Sequence, residues 1–176
     1  MGKAIAIFNQ KGGVGKTTTN INLAACLALK DKKVLIIDID PQGNTTSGIG
    51  LSKKELGNTS YEILVEDKID PQTAIVQTGV KNLDIIPASV QLAGAEVELI
   101  KLKGREKRLK KALDQIKPNY DYIFIDCPPS LSLIHISFPS GLALYWALGQ
   151  IMQIFFNIHL KSVRNKLKEE SKKKKK

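Results

Sequence analysis

The 176-residue sequence is poor in the residues that build covalent or metal-held scaffolds, with two cysteines and two histidines. Cys26 and Cys127 lie far apart and lack metal-ligand spacing, so a structural disulfide is not expected and a reducing compartment suits them. His135 and His159 have no ligand-spaced partners and read as incidental. No signal peptide is expected, because Met1-Gly2-Lys3 runs directly into an apolar strand. Charge is missing between Asp126 and Lys161, and residues 141–160 form an uncharged stretch of bilayer-spanning length. A membrane span is still not expected, since Gln150, Gln153, Asn157 and His159 would have to give up their water. Acidic residues are the scarcer sign, and the formal net charge is +10. That figure is dominated by residues 161–176, with nine basic and two acidic side chains, which leaves about +3 for the rest.

What is present is a chain of 43% hydrophobic and 25% charged residues, long enough for one α/β core. Apolar runs at 4–8, 33–39, 83–87 and 120–126 read as strands, the second of the kind buried on both faces of a parallel sheet. Helical patterns over 16–30, 61–66, 90–102 and 105–116 alternate with them. This rhythm predicts a doubly wound, mostly parallel α/β sheet, with ligands at the carboxyl ends of the strands.

The first strand is followed by Lys11-Gly12-Gly13-Val14-Gly15-Lys16-Thr17-Thr18. Glycines at these places let the backbone curl, so that successive N–H groups face phosphate oxygens at a helix N-terminus. Lys16 is placed to reach the β- and γ-phosphates, and the Thr17 hydroxyl to ligate Mg²⁺. The general pattern G-x-x-x-x-G-K-[ST] wants glycine at position 10, which is Gln10 here, and a second lysine, Lys11, opens the loop. Asp38 and Asp40 end the second strand and Asp126 closes Tyr-Ile-Phe-Ile-Asp, so three carboxylates are expected to converge on the phosphates. Asp126 fits the carboxylate that holds Mg²⁺, often through water, and Asp40 a group that orients the attacking water. A simple turn role stands beside each. Cys127-Pro128-Pro129 is a stiff exit that reads either as a γ-phosphate sensor or as a rigid loop.

Four segments together resemble one family. Lys11–Thr18 is similar to the deviant Walker-A loop of the ParA/MinD superfamily. Asp38-Ile-Asp40-Pro-Gln-Gly-Asn44, Leu92-Ala-Gly-Ala-Glu96 and Tyr122-Ile-Phe-Ile-Asp126-Cys-Pro-Pro-Ser130 resemble its ParA/Soj chromosome-partitioning branch. The resemblance covers residues 1–130, the N-terminal portion of a P-loop ATPase domain. It implies ATP and Mg²⁺ as cofactors, with Lys11, Lys16 and Asp40 catalytic and Thr17 and Asp126 at the metal. Lys11 would reach across an ATP-bound homodimer to the partner's nucleotide, Asp40 would position the hydrolytic water, and Asp126 would support Mg²⁺. It further implies nonspecific DNA binding, a ParB-type centromere-binding partner, and a cytoplasmic, nucleoid-associated location. A nucleotide-binding remnant without turnover, and a membrane-associated ATPase of the MinD type, are the alternatives.

After Ser130 the sequence departs from the family pattern. Residues 131–146 are expected to be an aberrant segment; 131–136 matches one reading frame of a transposon-end sequencing adaptor, which suggests a chimeric or damaged frame. An internal deletion is the alternative, because order partly returns. Gln150, Gln153, Asn157, Lys161, Arg164 and Lys168 form one polar stripe, predicting an amphipathic helix over 147–170. Residues 171–176 read as a disordered poly-lysine tail. The basic run 101–111 reads as a solvated helix face or as a contact for nucleic-acid phosphates.

Overall fold

Apolar residues of the parallel strands alternate between two cores, one on each face of the sheet. In β2 (Val34–Asp38), Val34 and Ile36 face one cluster, while Leu35 and Ile37 face the other. In β5 (Tyr122–Asp126), Phe124 joins the first cluster, and Ile123 and Ile125 the second. The period-2 alternation of side chains puts apolar groups on both faces, which is why these runs read as continuously hydrophobic. α1 (Lys16–Ala28) covers one face with Ala24 and Ala28. α3 (Ser60–Val65), α4 (Leu92–Ile100) and α5 (Arg108–Ile116) cover the other with Leu64, Leu92, Ala95, Leu99, Leu109, Leu113 and Ile116.

The computed structural model describes residues 2–8, 11–53, 56–128 and 143–144, without the side chains of Glu96, Glu106, Ala143 and Leu144. The sheet has the order β3-β4-β2-β5-β1-β6, where β1 is Lys3–Ile7, β3 Val76–Gln77, β4 Leu83–Ile86 and β6 Ala143–Leu144. All neighbours run parallel except β3, which pairs antiparallel with β4. The expected α/β class and parallel sheet are therefore present. Residues 120–126 are not at an edge: β5 lies between β2 and β1. Its N–H and C=O groups are bonded on both sides, so no uncovered ladder exists there.

Helix boundaries follow local chemistry. α3 starts with a capping box, the Thr59 hydroxyl accepting from the Tyr61 N–H and the Glu62 carboxylate accepting from the Thr59 N–H at 2.7 Å. The helix expected from 105 begins in earnest at Arg108. Gly104 is left-handed (φ 70°) and a 3-10 turn, Arg105–Lys107, precedes it. A five-residue helix, α2 (Asn44–Gly48), was not expected from the sequence. The expected aberrant segment, amphipathic helix and lysine tail, and the exit residue Pro129, lie outside the described residues apart from 143–144.

Candidate nucleotide-binding site

The strand order brings the loop and the carboxylates together. Ile7 at the end of β1 pairs with Asp126 at the end of β5, and Asp38 at the end of β2 pairs with Asp126 from the other side. The glycine loop after β1 and the Asp38–Asp40 turn after β2 thus flank Asp126. Paired residues of parallel neighbours share a face, so Asp38 and Asp126 lie on the same face as Ile36 and Phe124, the face that α1 covers.

Within the loop, Gly13 and Gly15 have positive φ, 70° and 84°, where a side chain would be strained. A Cβ at Gly12, Gly13 or Gly15 would meet nothing within 4 Å, so the backbone borders open space. Gly15 caps α1 without any side-chain hydrogen bond, and no acidic residue occupies the first turn. The leading N–H groups and the positive end of the helix dipole are left for an external anion. Lys11, Gly12 and Thr18 are exposed, Val14 and Thr17 half-buried, and Lys16 buried. The Thr18 carbonyl accepts from the Asn22 amide at 2.7 Å.

Asp126 is 1% exposed, and its Oδ2 accepts from the hydroxyls of Thr17 (3.0 Å) and Thr45 (2.6 Å). Its Oδ1 is buried and has no hydrogen-bond partner. A buried carboxylate oxygen left without a donor is costly unless a cation completes it. Burial raises the pKa of Asp126, opposed by the Thr45 and Thr17 hydrogen bonds; nearby Asp40 adds to the rise and Lys16 counters it. The donor set beside it, a hydroxyl and a carboxylate, is the hard-oxygen chemistry that Mg²⁺ prefers. The residues present fit that ion.

Asp38 is fully buried and serves as a bracket. Its Oδ2 accepts from the Thr46 N–H (2.8 Å) and hydroxyl (2.7 Å), and its Oδ1 from the Asp40 N–H (3.1 Å). Thr46 Oγ1 in turn accepts from the Ala88 N–H at 2.9 Å, and the Ser60 hydroxyl donates to the Asp38 carbonyl at 2.6 Å. The ends of β2, β4, α2 and α3 are thereby tied together. Burial pushes the Asp38 carboxyl up to about 6, moderated by Thr46 and reinforced by Asp126. Asp40 is 8% exposed; its Oδ1 accepts from the Gln42 N–H (2.9 Å) and its carbonyl from the Gly43 N–H (2.8 Å). The turn chemistry of Asp40 is thus real, and its carboxylate still lies near enough to Asp126 to act on it electrostatically. Cys127 is buried beside these acids, and burial pushes its thiol well up, so it is an inert thiol.

The structure therefore gathers Lys16, Thr17, Asp40 and Asp126 around the glycine loop, with Lys11 exposed at its mouth. Sequence reasoning missed Thr45 and Thr46. The available signal was the polar run Asn44-Thr-Thr-Ser directly after the Asp-Pro-Gln-Gly turn, too short to carry a helical period.

A twisted parallel sheet whose first strand runs through a glycine loop into a helix, beside in-register carboxylates, defines a P-loop nucleotide-binding fold. Comparison with known proteins agrees. The AAA domain family matches residues 2–140. The sporulation initiation inhibitor protein Soj of Bacillus subtilis (strain 168) is 61% identical over 137 residues, covering 78% of this chain and 54% of that protein. Cobyrinic acid a,c-diamide synthase of Mycobacterium smegmatis, solved with an ATP analog and magnesium, superposes with a TM-score of 0.72 at 40% identity, over 77% of this chain and 55% of that one. A plasmid partition protein from Borrelia burgdorferi gives 0.67 at 36% identity, over 77% and 60%. The chain belongs to the AAA domain family, and over roughly its first 137 residues it is similar to the N-terminal part of Soj and ParA chromosome-partitioning proteins. It spans about half the length of the curated relatives it matches.

Proposed function

We propose that the chain is the nucleotide-binding core of a ParA/Soj-type ATPase, which binds Mg²⁺-ATP and hydrolyses it to drive dimerisation on DNA. The observation that carries this reading is the unpartnered Oδ1 of Asp126, buried beside the Thr17 hydroxyl and the uncapped glycine loop. The loop amides, Val14 and Thr18 included, and Lys16 hold the β- and γ-phosphates, while Thr17 and Asp126 hold Mg²⁺, the latter through water. Mg²⁺ supplies charge neutralisation to the phosphates. Asp40 orients the attacking water, and Lys11 reaches the nucleotide of a second protomer, adding positive charge where the transferring phosphoryl group develops negative charge. Hydrolysis stimulated by a ParB-type centromere-binding protein, nonspecific DNA binding and a cytoplasmic, nucleoid-associated location complete the reading. The nucleotide and magnesium bound to the Mycobacterium smegmatis neighbour support the cofactor assignment.

A second reading is nucleotide binding without turnover. A MinD-like membrane association is a third reading; the uncharged stretch 141–160 behind it lies outside the described residues apart from 143–144, and among the described residues no helix is long and apolar enough to cross a membrane. Analytical ultracentrifugation with phosphate-release assays separates these readings. The ATPase reading expects an ATP-dependent dimer lost in Lys16→Ala, and turnover lost in Lys11→Ala and Asp40→Ala. Saturable nucleotide binding with no phosphate release in the presence of DNA and a ParB-type partner would select the second reading.

A further inference from the structure

We infer that the corner between α4 and α5 is a contact surface for the phosphate backbone of duplex DNA, built from Lys101, Lys103, Lys107 and Lys111. Residues 101–111 hold seven basic side chains and one acidic, Glu106. The structure sorts these cations. Arg108 is spent on structure: it is 7% exposed, bonded to the Leu64 and Val65 carbonyls and paired with Asp67 at 2.6 Å. Lys110 is paired with Asp114 at 2.7 Å. Lys101, Lys103, Lys107 and Lys111 are exposed, and none makes an ion pair among the described residues.

The backbone concentrates their charge. Gly104, left-handed at φ 70°, separates α4 from α5, so that Lys101 and Lys103, just after α4, lie within ten residues of Lys107 and Lys111 at the start of α5. α5 then starts against the usual electrostatic preference. It has no side-chain cap, no acidic residue in its first turn, and Lys107 as its N-cap residue. The positive end of the helix dipole adds to the lysines instead of being offset by them. Lys107 and Lys111 are a like-charged i, i+4 pair, a spacing that costs a few tenths of a kcal/mol in an isolated helix. A polyanion lying across this corner relieves both repulsions. Four residues of helical rise span roughly 6 Å, near two axial phosphate steps of about 3.4 Å along one DNA strand. Lysines act on phosphates as point charges without reading bases, so the contact is independent of sequence. The surface rests on the reading of the chain as a DNA-positioning ATPase only for its biological use, since the nucleotide site shares none of these residues.

The test is fluorescence anisotropy of a random-sequence 30-base-pair duplex with the full chain, titrated across salt. The lysine tail is a second polycation, so both proteins compared carry Lys172–Lys176 changed to glutamine. Replacing Lys101, Lys103, Lys107 and Lys111 by glutamine is expected to lower the magnitude of the log-affinity against log-salt slope by about 3.6, at about 0.9 per lost phosphate contact. The paired variants K101Q/K103Q and K107Q/K111Q should each remove about half of that. Fluorescent-ATP binding should be the same in all variants, so failure of the nucleotide site and failure of this surface are read separately. An unchanged salt slope overturns the inference. So does a loss of binding to phosphatidylglycerol vesicles with duplex binding retained, which would assign the corner to a membrane.

Discussion

At the residue scale, the site is governed by which buried polar atoms have partners. Asp38 has all it needs from Thr46 and Asp40, yet burial still pushes its pKa up to about 6. A carboxyl whose folded value is raised binds its proton more tightly in the folded than in the unfolded chain between pH 3.8 and about 6. Its contribution to stability is therefore largest below that window and declines as pH rises through it. Relative to Asp38→Asn, the nucleotide-free protein should lose about 2 kcal/mol of unfolding free energy between pH 4 and pH 7, measured by urea denaturation. Asn20 presents the opposite case. It is fully buried on α1, and neither its amide nitrogen nor its oxygen has a hydrogen-bond partner among the described residues. Asn20→Ala removes an unsatisfied amide and improves helix propensity, so it should raise stability by about 1 kcal/mol and the melting temperature by roughly 2–4 °C. A lower melting temperature would show that the amide has a partner after all.

At the element scale, much of the fold was legible because its strands are unusually explicit. β2 and β5 are runs of Ile, Leu, Val and Phe buried on both faces, which only the middle of a parallel sheet requires. The glycine loop was legible because its chemistry fixes both backbone and side-chain types. α2 was not, since Asn44-Thr-Thr-Ser-Gly is a poor helix former. It is held by the Thr45 hydroxyl on Asp126 and the Thr46 hydroxyl on Asp38, both long-range contacts that no local pattern records. Strand order was illegible for the same reason: nothing local places β5 between β2 and β1. Arg108 shows an element held from outside: its guanidinium bonds the carbonyls of Leu64 and Val65 at the end of α3. Arg108→Met keeps the stem but leaves those carbonyls unpartnered, and should cost about 2–3 kcal/mol in denaturant unfolding. Thr59→Ala removes the capping hydroxyl of the same helix and should cost about 1 kcal/mol.

At the scale of the whole molecule, sequence, fold and family agree over the part of the chain that the relatives share. The P-loop, the two strand-end carboxylates and the α2 threonines form one connected unit, running from the Thr17 hydroxyl through Asp126 to Thr45. Bound nucleotide should therefore stabilise the sheet ends as a block, visible as a melting-temperature rise that grows with the logarithm of ligand concentration. The central claim is that the free oxygen of Asp126 serves Mg²⁺. Titrate a fluorescent ATP analogue into wild type and Asp126→Asn by equilibrium fluorescence, each with excess Mg²⁺ and with EDTA. The account predicts that Mg²⁺ tightens wild-type binding by tenfold or more, on the order of 1.5–3 kcal/mol for a charged contact, and barely changes binding to the variant. Equal Mg²⁺ dependence in the two proteins would contradict it.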